Sequence, residues 1–253
     1  LNRIGPVFGA ALLKLGKHAV AKSVAKTVER PPDPFDIREV IADADNHKVA
    51  PKPLCTTRTQ PVHKACTAFF AGRCVMARLV LTILGCGSSG GVPRLGGHWG
   101  ACDPAEPKNR RRRCSLLVER FEGEAVTRVL VDTSPDMRAQ LLDADVGVLD
   151  GVVYTHEHAD HVHGLDDLRM VVFNTRKRLP VWADAQTARS LVNRFGYAFV
   201  QPEGSSYPPI LDLSPMDGPI VVDGPGGAIP FTPFPVQHGR IIAQGLRIAD
   251  CAY

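Results

Sequence analysis

The stretch Thr155-His-Glu-His-Ala-Asp-His-Val-His163 constrains this 253-residue chain more than any other. Five side chains of metal-ligand type, His156, His158, Asp160, His161 and His163, fall within eight residues. Alternate side chains of an extended segment share a face, so His156 and His158 can grip one ion. Asp160 and His161 follow at the turn into a predicted helix and can grip a second. Imidazole nitrogen with carboxylate oxygen suits Zn²⁺, Mn²⁺ or Fe²⁺ better than Ca²⁺. Four of the chain's nine histidines lie in this segment, which argues against a solvated loop with chance histidines. The run follows an apolar segment over 151–154, so a buried strand must end at a polar loop and re-enter a helix.

The text around it is α/β from residue 77 onward. Apolar runs and alternation predict strands over 78–84, 114–119, 126–131, 151–154, 181–183, 220–223, 231–236 and 243–248. Helical spacing predicts helices over 135–142, 166–177 and 185–195. Residues 200–219 read as a proline-rich loop, and no internal repeat is present. The chain is 44% hydrophobic and 22% charged, which supports a packed core and excludes a collagen, a coiled coil or a disordered chain. No run approaches about 18 apolar residues, so no membrane helix is expected. Seven cysteines at irregular spacings are expected as reduced thiols in a cytoplasmic setting rather than as a disulfide framework.

The run His-x-His-x-Asp-His resembles the main metal motif of the metallo-β-lactamase fold superfamily. Three further strings narrow the branch: Leu84-Gly-Cys-Gly-Ser-Ser-Gly-Gly-Val-Pro93, Asn109-Arg-Arg-Arg-Arg-Cys-Ser-Leu-Leu-Val118 and His163-Gly-Leu-Asp-Asp-Leu-Arg169. Together they look like the phosphodiesterase-type branch, that of phosphoribosyl 1,2-cyclic phosphate phosphodiesterase (PhnP). The resemblance covers residues 77–253. It implies a four-layer αββα sandwich with metals at one edge of two sheets. It also implies that His156, His158 and His238 hold a first ion, and Asp160 and His161 a second. Asp132 then braces the metal loop without being a ligand. The implied chemistry is hydrolysis of a small, cyclic or open, phosphodiester with two divalent ions, Zn²⁺ or Mn²⁺. Asp160 and His163 are the candidate catalytic residues, and His163 reads either as acting on substrate or as orienting a ligand. Arg110 and Arg113 are the candidate substrate contacts, since guanidinium matches phosphate oxygens with paired donors. The same arginines read equally as a solvated loop. The glycine-rich loop over 85–91 lacks the Lys-Ser/Thr of a P-loop and reads as a tight strand exit or a source of backbone N–H groups.

Two departures qualify the match. The branch's extra structural zinc needs a cysteine cluster where this chain keeps only Cys102. The branch's bridging Asp and final His have no counterpart before Tyr253, and Asp250 reads as a strand residue. The expectation is therefore a C-terminally truncated fold in which this chain completes one metal site. Residues 1–75 carry 12 basic against 6 acidic residues, and residues 76–253 carry 18 against 20. The net charge of +4 thus belongs to the N-terminal third. Residues 1–75 are expected as a basic extension, partly helical or disordered and outside the fold, with 76–253 as the domain. Ile4, Phe8, Leu12, Leu15 and Ala19 form an amphipathic stripe there, compatible with a surface helix or a targeting segment. Cys55, His63, Cys66 and Cys74 match no short zinc-ligand spacing. The expected partner is a small phosphodiester, with no membrane and no nucleic acid, and a homodimer is allowed. Alternatives are a lactonase, a thioesterase, a ribonuclease Z-like nuclease, or an inactive metal-binding fragment.

Overall fold

The computed structural model describes residues 77–253. The stripe over 4–19, the Cys55–His63–Cys66–Cys74 set and the boundary at 75/76 lie outside the described residues. Among the described residues no helix is long and apolar enough to cross a membrane.

Among the described residues ten strands form two sheets. The first has six strands: β1 (Arg78–Gly85), β2 (Ser115–Glu122), β3 (Ala125–Val131), β4 (Gly151–Val153), β5 (Leu179–Ala183) and β6 (Leu211–Pro215), in that spatial order. β1 to β3 are antiparallel, and β3 to β6 pair in parallel. Helices α1 (Met137–Asp143), α2 (Ala159–Val162), α3 (Leu168–Thr175) and α4 (Ala185–Phe199) lie in the connections among these parallel strands. The second sheet is antiparallel: β7 (Ile220–Val222), β8 (Ile229–His238), β9 (Ile241–Ile248) and β10 (Cys251–Ala252).

Strand periodicity sorts the apolar side chains into two cores. Leu117, Leu130, Val152 and Val181 face the helices and pack with Leu141, Leu168 and Leu191. Their strand neighbours Leu116, Val118, Val129, Val131 and Val153 point the other way, onto Ile229, Phe231, Leu246 and Ile248 of the second sheet. Both faces of the six-stranded sheet are thus buried, which is why its central strands read as unbroken apolar runs. Three layers result: helices, sheet, sheet. Among the described residues no helix covers the outer face of the second sheet, where Phe234 and Val236 are exposed.

Two expectations need correction. The segment over 200–219 is not all loop, because β6 runs through it beside β5. Its alternation of buried Leu211 and Leu213 with half-buried Asp212 is a strand pattern, hidden in sequence by the flanking prolines. Asp250, expected as a strand residue, is not one. The chain turns at Ala249 and Asp250, with Ala249 at φ +52, and returns as β10.

The carboxyl ends of β3 and β4 lie side by side and open into the loops that carry Asp132 and the histidines. Packing there is close. Gly164 donates its N–H to the Thr133 carbonyl at 2.9 Å, and a Cβ at this position would meet the Ser134 carbonyl oxygen at 2.1 Å. Gly164→Ala must therefore push the loop after β3 off the histidine loop. The expected cost is about 2 kcal/mol or more, read as a lower urea midpoint. An unchanged midpoint would contradict this close approach.

Candidate metal centre

Three histidines converge from two sheets. His156 and His158 follow β4, and His238 ends β8. One candidate ligand atom from each lies within 4.8 Å of the others. His238 Nε2 stands 3.3 Å from His158 Nδ1. The ring of His156 lies 4.7 Å from that of His158 and 5.0 Å from that of His238, centroid to centroid. His161 joins the group, 4.1 Å from His156, with Asp160 Oδ2 3.5 Å from its Nε2.

Asp132 organises the loop from beneath. It is fully buried, and its carboxylate accepts from the Thr155 backbone N–H at 2.8 Å, the Thr155 hydroxyl at 2.7 Å and His161 Nδ1 at 2.7 Å. Its φ of +61 is a left-handed conformation that Asp tolerates better than most residues. The consequence for His161 is a fixed ring orientation: Nδ1–H points at Asp132, and Nε2 faces Asp160 Oδ2. Thr155 does the same for His156. Its hydroxyl donates to Asp132 and so accepts from His156 Nδ1, 2.9 Å away. The remaining nitrogen, His156 Nε2, is buried with no hydrogen-bond partner. A buried lone pair without a donor is costly unless something electropositive meets it. This orphaned atom, aimed among the other imidazoles, fits a divalent ion of borderline softness.

Other contacts fix the loop's outer side. Glu157 accepts from Gln186 Nε2 at 2.7 Å, and its carbonyl accepts from Arg194 at 2.6 Å, which ties the loop to α4. Asp184 caps that helix by accepting from the backbone N–H groups of Gln186 and Thr187. Across the two sheets, the Gln244 N–H of β9 donates to the Thr155 carbonyl at 2.8 Å.

The electrostatics differ between the two key imidazoles. Burial, helped by the neighbouring His161, holds His156 down at about 4. Burial also pulls down on His161, but the Asp132 hydrogen bond and charge outweigh it and raise its affinity for a proton. For the metal-free chain the signs follow directly. Between pH 6.5 and 4 the unfolded state binds a proton at residue 156 that the folded state refuses. Stability should therefore fall as pH drops through this window, by up to about 1.4 kcal/mol per pH unit. The His161 contribution is fully present below pH 6.5 and is lost only as pH rises through its raised value. Urea midpoints measured from pH 6.5 to 4.5 should show the slope, and His156→Gln should flatten it. An equal slope in the variant would refute the assignment.

The remaining predicted residues lie elsewhere. His163 caps the end of α2, exposed, with its ring edge-on to Phe195 at 5.8 Å. Arg110 and Arg113 line a groove whose walls include none of the four converging histidines. Cys102 receives the Arg111 guanidinium at 3.6 Å. Thr155 is the functional residue that sequence reasoning missed. A threonine after a strand is ordinary, and only its place between Asp132 and His156 gives it a role.

Comparison with known proteins gives the family. The model of the beta-lactamase superfamily domain matches residues 127–253, half of the chain. A crystal structure described as a new diphosphatase from the PhnP family is 35% identical, with a TM-score of 0.59 over 70% of this chain and 65% of that one. Zn²⁺-bound PqqB from Methylobacterium extorquens is 17% identical, with a TM-score of 0.45 over 70% and 63% of the two chains. Among curated proteins, an octanoyltransferase of Porphyromonas gingivalis (strain ATCC BAA-308 / W83) is 37% identical over 175 residues. That match covers 68% of this chain and 33% of the relative, so the chain spans about a third of the relative's length. Together with the two sheets that converge on one histidine cluster, the family-model match and the 35%-identical structure show that the chain belongs to the metallo-β-lactamase superfamily and resembles its PhnP family.

Proposed function

We propose that this chain carries the metal centre of a metal-dependent hydrolase acting on a phosphodiester. The observation that supports this most is the convergence of His156, His158 and His238 around an orphaned buried nitrogen, with Asp160 and His161 beside them. In this reading His156, His158 and His238 hold one divalent ion, Zn²⁺ or Mn²⁺, and Asp160 with His161 offers two ligands to a second. When bound, such ions supply Lewis acidity at phosphoryl oxygen and a nucleophile at neutral pH. Asp132 and Thr155 orient the imidazoles of His161 and His156. In this reading Asp160 accepts the proton of the attacking water. His163, exposed at the end of α2, either acts on the substrate from there or orients the histidine loop.

The phosphorus chemistry rests on the PhnP-family likeness rather than on the histidines, which other hydrolases could share. A second reading, hydrolysis of a diphosphate anhydride, is favoured by the diphosphatase described for the 35%-identical structure. The octanoyltransferase relative has two thirds of its length outside the match, so its name is not carried over.

The test is turnover by the Mn²⁺- or Zn²⁺-loaded chain. Bis(p-nitrophenyl) phosphate, a nucleoside diphosphate ester, a lactone panel and a thioester panel are compared. Diester hydrolysis above the others is expected. Preference for the diphosphate ester would replace the first reading by the second. Lactone or thioester turnover alone would overturn both, and metal binding without any turnover would mark a non-catalytic metal-binding chain.

A further inference from the structure

The arginine run has a setting of its own. Lys108 and Arg110 to Arg113 line a groove of about 760 Å³ between the edge strand β1, the glycine-rich loop and α1. That volume suits a small ligand. The run is held as a wall: Val92 and Arg111 exchange backbone hydrogen bonds at 2.9 and 3.0 Å, and Gly87 N–H donates to the Arg112 carbonyl at 2.7 Å. A Cβ at Gly87 would lie 2.8 Å from the carbonyl oxygens of both Arg111 and Arg112, so only glycine permits this approach.

The charges are unequally matched. Arg112 pairs with Asp143, and Arg113 Nε lies 3.0 Å from Asp136. Among the described residues no carboxylate lies within ion-pair distance of Lys108, Arg110 or Arg111. Arg110 is nonetheless oriented, its guanidinium 5.1 Å from the Trp99 ring centre. Arg111 is steadied by Asn109 Oδ1 at 3.4 Å and Cys102 Sγ at 3.6 Å. Three cations that no described carboxylate pairs therefore share one concave surface. Their charge balances that of a diphosphate group, roughly −3 at neutral pH. Guanidinium groups held in place offer paired donors to phosphate oxygens at reduced entropy cost.

We propose that this groove is a binding site for a small ligand bearing a diphosphate group, separate from the histidine centre. The site acts without metal, because its cations are the chain's own. Inorganic pyrophosphate and ADP are the probes, titrated calorimetrically into the full chain after metal removal by dialysis. One ligand per chain is expected, with inorganic phosphate weaker than either probe. Tighter ADP than pyrophosphate would identify a nucleoside diphosphate as the source of the group. Lys108→Glu and Arg110→Glu, at exposed positions, should each weaken binding about tenfold, while His156→Ala with His158→Ala leaves it unchanged. A Lys108→Arg variant should bind as the parent does. Circular dichroism confirms that each variant is folded. Loss of binding on histidine replacement, indifference to charge reversal, or no binding to the metal-free chain would each overturn the proposal. So would a single-stranded RNA that binds where pyrophosphate does not. Turnover by the metal-loaded chain scores the hydrolase reading separately, so either can fail alone.

Discussion

Replacing His156 by alanine is expected to lower divalent-metal affinity by roughly two to three orders of magnitude. A metal site held by three or four protein ligands gains on the order of 10 kcal/mol or more, so one ligand accounts for about 3–4 kcal/mol. His156 is the deepest of the three histidines, and its unpaired Nε2 has no alternative partner. Removing it also relieves that orphaned atom, so the metal-free variant should be no less stable above pH 6.5 than the small cavity dictates. Metal content after dialysis, measured by elemental analysis, and the Kd for Zn²⁺ check the first statement. Urea melts of the metal-free pair check the second. Retained tight binding by the variant would show that the ion sits elsewhere.

Asp132→Asn should cost both stability and metal affinity, through a residue that need not touch the ion. The carboxylate serves three donors, two from Thr155 and one from His161. An amide keeps the left-handed backbone accessible but offers one carbonyl oxygen and turns an NH₂ group toward another donor. A buried donor left without its acceptor costs about 1–3 kcal/mol, so a loss of around 2 kcal/mol is expected. His161 loses the partner that fixes its ring orientation, and Thr155 loses the acceptor that sets its hydroxyl toward His156. Such outer partners are worth about 10–100-fold in metal affinity. A variant that loses stability but binds metal as before would confine Asp132 to a structural role.

The histidine loop was legible because its ligands are local: eight residues carry five candidate groups in a pattern that strand geometry explains. His238 was not legible from its surroundings. It ends a strand of the other sheet, 80 residues from His158, and only the family resemblance singled it out. Thr155 was in view but without a role, because its role exists only once Asp132 and His156 are brought together. The strands β1 to β5 were read within a few residues, since β2 to β4 are apolar runs buried on two faces and the edge strand β1 is itself an apolar run. β6 was obscured by prolines that break the ladder at its flanks rather than within it. The turn before β10 was missed because it is made by Ala249 and Asp250, with no glycine or proline to mark it. Phosphate contacts were expected from Arg110 and Arg113, and the groove they line has a floor and walls that sequence does not describe.

The inter-sheet position of His238 has a kinetic consequence. An ion shared by His158 and His238 clasps the carboxyl end of a parallel strand to the tip of an antiparallel hairpin. It closes a loop of 80 residues, as a cross-link would. Native-state affinity translates into added stability by mass action. The clasp depends on both sheets having docked, so metal should speed folding little and slow unfolding strongly. Metal release would then report the separation of the two sheets, which makes the lifetime of the bound ion a clock for the opening of the inter-sheet core.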